Sequence, residues 1–189
     1  MHSTGNTEGE TDMPIYPKSL ELPDGTMVVI KKLSREDFEF SLGFFRRQPE
    51  EDRIYLQRDV TKREVIERRM GEIEEGMATV LIAIADGMVV ADCSLYAPLR
   101  GWFRYTGEVR IVVDVNYRGR GLGSALLREM ITVAGERGLK KLEASYMDTQ
   151  KGIGKTLSNL GFEEEGALKE IVVDLKGYEH DLTLLGRSV

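Results

Sequence analysis

The sequence is poor in the residues that build disulfides and metal sites. Its 189 residues include one cysteine, Cys93, and two histidines, His2 and His180. A disulfide needs two thiols, and a structural zinc site needs several Cys or His ligands. We therefore expect no intrachain disulfide framework and no bound metal. Cys93 lies in an apolar run, which predicts a small buried side chain.

Long apolar runs and a net positive charge are also missing. No apolar stretch approaches the roughly 20 residues that span a bilayer, and the polar residues 1–13 do not resemble a secretory signal. The formal net charge is −6, whereas non-specific nucleic-acid binding needs a basic surface. We therefore expect a cytoplasmic protein with neither a membrane nor nucleic acid as its partner.

The length and the apolar pattern predict one mixed α/β domain at residues 14–189, preceded by a disordered leader at residues 1–13. Asp86-Gly87 between two apolar runs predicts a hairpin. Apolar periodicity predicts strands at residues 27–33, 78–85, 88–97, 107–115, 139–146, 167–174 and 180–186, and helices that begin after Ser34 and cover 61–75, 121–137 and 150–160.

Three glycines join an apolar strand to a strong helix, at Gly119, Gly121 and Gly123. Glycines let the chain turn tightly and bring backbone N–H groups close to a ligand. The start of the helix adds a partial positive charge and unpaired N–H donors. Arg118 and Arg120 add two full charges. This combination favours a site for the pyrophosphate of a cofactor.

Two nucleotide-binding motifs come close to this sequence but fail on spacing. A dinucleotide loop needs G-x-G-x-x-G, and counting from Gly119 the third glycine position is Ser124. Gly154-Lys155-Thr156 ends like a P-loop, but the first glycine of that motif would fall on Thr149. A nucleotide-binding domain is therefore a weak alternative.

The glycine loop resembles motif A of the GNAT acyltransferases, an Arg/Gln-x-x-Gly-x-Gly/Ala pattern after a strand, through Arg118, Gly121 and Gly123. Downstream, Asn159-Leu160-Gly161-Phe162 resembles the end of the family's motif B. The order of elements is similar over residues 26–186. The resemblance implies the GNAT-like acyl-CoA N-acyltransferase fold, an α/β (α+β) fold. Its central sheet is mixed and mostly antiparallel, with about seven strands flanked by about four helices.

The resemblance also implies acetyl-CoA, or another acyl-CoA, as co-substrate. In the family, the strand before the loop binds the pantetheine arm through its backbone, and loop amides hold the pyrophosphate. A backbone amide on that strand would polarise the thioester carbonyl. The implied cofactor residues are Ile111, Val112, Val113 (the expected source of that amide), Arg118, Gly119, Arg120, Gly121, Leu122, Gly123, Ser124 and Gln150.

Acyl transfer to an amine needs a base, because the attacking nitrogen must lose a proton. The resemblance suggests Glu108, on the strand that leads into the loop, and the alternative is a strand-end Glu paired with Arg110 or with a neighbouring strand. The general acid of many family members is a Tyr whose position is Leu157 here. Tyr146 is our substitute for it, with Tyr178 as a further candidate; a tyrosine at such a position is more often a packed aromatic with a solvated hydroxyl.

The function that follows is an N-acetyltransferase, with direct attack by a primary amine of a small molecule or a protein. The alternative is a non-catalytic acyl-CoA-binding regulatory module. We expect acceptor specificity to lie in residues 34–76 and 98–106, where Trp102, Phe103 and Tyr105 could line a pocket or form an ordinary strand face. Sheet edges in this fold often pair, so a homodimer is one arrangement to test.

Overall fold

The computed structural model describes residues 15–174 and 176–189; the predicted leader at residues 1–13 lies outside the described residues. The strands are β1 (Lys18–Glu21), β2 (Met27–Lys32), β3 (Ala78–Ala85), β4 (Met88–Tyr96), β5 (Thr106–Val113), β6 (Lys141–Met147), β7 (Glu163–Val173) and β8 (Glu179–Ser188). The helices are α1 (Phe38–Arg47), α2 (Glu50–Arg53), α3 (Arg63–Glu74), α4 (Leu122–Glu136) and α5 (Lys151–Asn159).

These eight strands form one sheet in the order β1-β2-β3-β4-β5-β6-β8-β7. All neighbouring strands are antiparallel except β5 and β6, which are parallel. The predicted hairpin joins β3 to β4 through Asp86 and Gly87, whose φ values of 49° and 73° suit a tight hairpin turn. The mixed, mostly antiparallel sheet implied by the resemblance is therefore confirmed.

The expected counts of about seven strands and about four helices were too low by one each. The sequence did not predict the strand β1, because its four residues, three of them exposed, lack an apolar alternation and lie between Pro17 and Pro23. The helix α2 is a single acidic turn without a buried residue. The strand β7 begins four residues earlier than predicted, because the acidic run Glu163–Glu165 lies on an exposed edge strand, where charged side chains stay in water.

Apolar side chains fill both faces of the sheet. On one face, α4 contributes Leu126 and Met130 to a core that includes Leu81 and Cys93. On the other face, α3 packs on β3, for example through Ile66, and α1 packs on β4. Cys93 is fully buried, as predicted, and burial raises the pKa of its thiol. The centre of the sheet is thus held from both sides.

The parallel strands β5 and β6 pair over only three residues each, Thr106–Glu108 with Lys141–Glu143. Beyond this point β5 stays beside β4 and β6 stays beside β8, so a gap opens between them. The Asp114 N–H donates to the carbonyl oxygen of Val90, on the β4 side, at 2.9 Å. Because successive N–H groups of a strand point to opposite edges, the N–H of Val113 points into the gap.

Candidate active site

Two cavities open at the gap between β5 and β6. The first, here called the loop cavity, is bordered by the glycine loop, the end of β5 and the start of α5. The second, here called the charged cavity, lies under the segment between α2 and α3 and is bordered by charged side chains of α3, β4 and β5. Six residues line both cavities and mark where they meet: Tyr55, Leu56, Ile111, Val112, Gln150 and Ile153.

The glycine loop leaves backbone N–H groups free at the start of α4. Gly119 and Gly121 have φ values of 73° and 85°, a region that glycine enters without steric cost. No side chain of the described residues caps α4. The first hydrogen bond of the helix runs from the Ala125 N–H to the carbonyl oxygen of Gly121, at 3.0 Å. The N–H groups of Gly123 and Ser124 have no intrahelical acceptor there, which suits an anion.

Arg118 borders the loop cavity and is held at two points. Its guanidinium donates to both carboxylate oxygens of Asp52, at 2.8 and 3.2 Å, and its Nε donates to the Val113 carbonyl at 2.9 Å. The side chain of Arg120 leaves the cavity and pairs with Asp24 at 3.1 Å. Leu122, the first residue of α4, packs into the core.

The structure therefore brings together most of the residues that we expected to bind the cofactor. The side chains of Arg120 and Leu122 lie outside both cavities. The predicted residues that line the loop cavity are Ile111, Val112, Val113, Arg118, Gly119, Gly121, Gly123, Ser124 and Gln150.

Glu108 lines the charged cavity and has two partners there. Arg110 donates to it twice, from Nε to Oε1 at 2.8 Å and from Nη2 to Oε2 at 2.7 Å, and Gln57 donates to Oε1 at 3.2 Å. The structure thus contains the Glu108–Arg110 ion pair that was the alternative to a catalytic base. A carboxylate has about four acceptor positions, so Oε2, which accepts one bond, can still accept a proton from a ligand.

The candidates for the general acid do not reach the cavities. Tyr146 packs over α5, where a Cβ at Gly154 would come within 2.7 Å of its ring, and it lines neither cavity. Tyr178 is exposed and also lines neither. Leu157, at the position of the family tyrosine, is buried and borders the charged cavity with an apolar side chain. A catalytic role for Tyr146 stays a prediction that this placement does not support.

The charged cavity contains groups that the sequence reasoning missed. Arg69 and Asp92 form a buried, two-point ion pair at 2.6 and 2.9 Å, and Arg58 donates to both oxygens of Glu72 at 2.8 and 2.9 Å. The first pair had a signal, since Arg69 interrupts the apolar stripe of α3 and Asp92 interrupts an apolar strand. Neither Arg58 nor Glu72 stands out in this way, because both lie among charged residues.

The aromatic loop before β5 does not contribute to the cavities. Trp102 is 93% exposed, and Phe103 and Tyr105 are also exposed. None of the three lines either cavity. In the described ranges, 15–174 and 176–189, no cluster of three or more His, Cys, Asp or Glu is placed to hold a metal ion. No helix of these ranges is long and apolar enough to cross a membrane.

Comparison with known proteins identifies relatives of this chain. The model of the acetyltransferase (GNAT) family matches residues 40–162. YwnH of Bacillus subtilis, named as a candidate phosphinothricin acetyltransferase, is 34% identical over 87 residues, which are 46% of this chain and 53% of YwnH. The match therefore spans about half the length of that relative.

Solved structures resemble the chain over most of its length. The ribosomal-protein-alanine N-acetyltransferase of Brucella melitensis is 25% identical, with a TM-score of 0.73 over 85% of this chain and 99% of that one. The Salmonella typhimurium protein yncA, a candidate acetyltransferase solved with its cofactor acetyl-CoA, is 20% identical, with a TM-score of 0.73 over 85% of this chain and 93% of that one. At 20% identity, the likeness to yncA shows a shared fold.

Proposed function

The chain belongs to the GNAT acetyltransferase family, and we propose that it transfers an acetyl group from acetyl-CoA to a primary amine. The observation that carries this proposal is the meeting of two unlike cavities at Ile111 and Val112. One is bordered by a loop that suits an anion, and the other contains Glu108, which can accept a proton. A thioester in the first and an amine in the second would meet at the gap beside β5.

The loop cavity fits the pyrophosphate of acetyl-CoA. The free N–H groups of Gly123 and Ser124, with the guanidinium of Arg118, would hold its negative charge. The edge of β5 that faces the gap offers unpaired backbone groups to the pantetheine arm. Bound there, acetyl-CoA supplies a reactive thioester carbonyl and a thiol leaving group. The N–H of Val113 points into the gap and would donate to that carbonyl oxygen.

Glu108 is our proposed base. Its Oε2 would accept the proton of the attacking amine, directly or through one water. Arg110 and Gln57 hold the carboxylate at Oε1, at 2.8 and 3.2 Å, and so fix the direction in which Oε2 points. Orientation of this kind supplies much of the rate of a two-substrate reaction.

The side chains of the charged cavity favour a small amine that also carries an anionic group. The carboxylates of Glu72 and Glu108 can attract an ammonium group, and the guanidinium groups of Arg58 and Arg110 can attract a carboxylate or a phosphinate. Phosphinothricin, which the name of the Bacillus subtilis relative mentions, is one such amino acid. Amines of proteins are the competing acceptor class.

Turnover with a panel of amines tests this function. We expect release of CoA thiol from acetyl-CoA with amino acids, phosphinothricin among them, and less with polyamines or lysine peptides. Acetyl-CoA binding without turnover on any amine would instead favour the non-catalytic acyl-CoA-binding module. The predicted cytoplasmic location and homodimer are tested separately, by fractionation and by gel filtration.

Substitution of the base gives a sharper test. Glu108→Gln keeps the size of the side chain and removes its basicity, so we expect kcat to fall about 10²- to 10⁴-fold. Glu143→Gln is the matched control, because Glu143 lies opposite Glu108 on β6 and lines neither cavity. Equal activity of Glu108→Gln and the wild type would show that the base assignment is wrong.

A further inference from the structure

We propose that Tyr55 is the general acid of the transfer and gives its phenol proton to the departing sulfur of CoA. This inference rests on the acetyltransferase function proposed above. Leu157 occupies the position of the family tyrosine, and its buried apolar side chain cannot give a proton to the sulfur. Tyr55 belongs to a different element, the segment between α2 and α3, and lines both cavities.

The placement of Tyr55 at the junction carries the argument. A thioester held in the loop cavity and an amine held in the charged cavity must meet where the two cavities share their lining. Of the six residues that line both, five carry aliphatic or amide side chains: Leu56, Ile111, Val112, Gln150 and Ile153. Tyr55 is the remaining one, and its phenol is the group of this set that can release a proton.

Other hydroxyl groups near the site are placed less well. Tyr96 lines only the charged cavity and lies under the guanidinium of Arg58, 6.0 Å from its ring centroid. Tyr117 lines only the loop cavity, near the proposed pyrophosphate position. Ser94 and Ser145 line only the charged cavity, and an aliphatic hydroxyl is a far weaker acid than a phenol.

The hydroxyl of Tyr55 is available and its segment is anchored. Within residues 15–174 and 176–189 this hydroxyl makes no hydrogen bond, whereas the hydroxyl of Tyr16 bonds to Glu129 at 3.2 Å. The Tyr55 N–H donates to the carbonyl oxygen of Asp52 at 3.2 Å, and the Asp52 carboxylate holds Arg118 of the glycine loop at 2.8 Å. The ion pair thus ties the segment that carries Tyr55 to the loop that binds the donor.

The transfer moves one proton from the amine to Glu108 and one from Tyr55 to sulfur. The amine nitrogen forms a bond to the thioester carbon, and its proton passes to Glu108 Oε2. The carbon–sulfur bond then breaks, the electron pair leaves with sulfur, and sulfur takes the proton of Tyr55 Oη. Water carries the proton from Glu108 back to the phenolate, so the products are an amide and the CoA thiol.

Three tyrosine variants separate this proposal from its rival. Tyr55→Phe should lower kcat about 10- to 100-fold with little change in the KM for acetyl-CoA, since a positioned acid contributes in this range or above it. Tyr146→Phe tests the rival acid, and Tyr105→Phe, outside both cavities, is the control expected to match the wild type.

Binding supplies a readout that is independent of turnover. The probes are CoA and desulfo-CoA, which lacks the sulfur. Calorimetry measures the affinity of each at about pH 9, because the CoA thiol is partly ionised there. A hydrogen bond from a phenol to a thiolate predicts that Tyr55→Phe weakens CoA about tenfold. Desulfo-CoA should bind both proteins alike, which also verifies that the variant is folded.

The outcomes are distinct. Wild-type kcat in Tyr55→Phe, or equal loss of affinity for CoA and desulfo-CoA, would overturn the role of Tyr55 and leave the proposed function in place. A defect in Tyr146→Phe alone would transfer the role to Tyr146. Absence of acetyl transfer by the wild type to every amine would overturn the proposed function and the role of Tyr55 together.

Discussion

The buried ion pair beneath the charged cavity gives a prediction about stability. The side chains of Arg69 and Asp92 are 10% and 4% exposed, and they share two hydrogen bonds at 2.6 and 2.9 Å. The guanidinium of Arg69 also lies 5.4 Å from the ring centroid of Phe45. Each charge is satisfied mainly by the other, so removal of one leaves the second buried without a partner.

Arg69→Met is the informative perturbation, because methionine keeps an unbranched apolar stem and removes the charge. An uncompensated buried charge costs about 3–5 kcal/mol. Each kcal/mol lowers the Tm of a chain of this size by about 2–4 °C, so we expect a fall of about 6–20 °C. The cost is a large part of a typical stability of about 5–15 kcal/mol.

Urea unfolding followed by circular dichroism measures the change. Arg68→Met is the matched control, since Arg68 is the exposed neighbour on α3 and its loss should cost no more than about 0.5 kcal/mol. Adding Asp92→Asn to Arg69→Met removes the stranded charge and should restore part of the stability. A cost of Arg69→Met below about 1 kcal/mol, or no recovery in the double variant, would refute the reasoning.

Two further predictions concern the glycine loop and His180. Gly121→Ala forces a Cβ into a left-handed conformation (φ 85°) and should cost about 1–2 kcal/mol of stability and weaken CoA binding, whereas Gly123→Ala meets its nearest neighbour at an ordinary 3.5 Å and should leave the stability almost unchanged. Urea unfolding and calorimetry compare the two, and equal losses would contradict the distinction. A hydrogen bond to Asp174 raises the pKa of His180, so its stabilisation is full below about pH 6.5 and is lost as pH rises through the raised value. The Tm difference between the wild type and His180→Gln should therefore shrink from pH 6 to pH 9, and a constant difference would count against it.

The sequence alone predicted the features that depend on neighbouring residues. The turn at Asp86-Gly87, the glycine loop and the start of α4 all follow from the conformations that glycine permits and from apolar periodicity. These features are local, so a window of a few residues contains their causes.

Only the tertiary structure decided which side chains meet in the cavities. Tyr55 and Asp52 reach the loop from more than 60 positions upstream, because the segment after α2 folds over the gap beside β5. Arg120 lies between two glycines of the loop, yet it turns away to Asp24. Tyr146 ends a strand near the site, yet it faces α5. The sequence determined the glycine loop because its chemistry lies in consecutive backbone groups. The side chains that meet in the two cavities come from distant segments, and the packing of α1 and α3 on the sheet helps to set their positions.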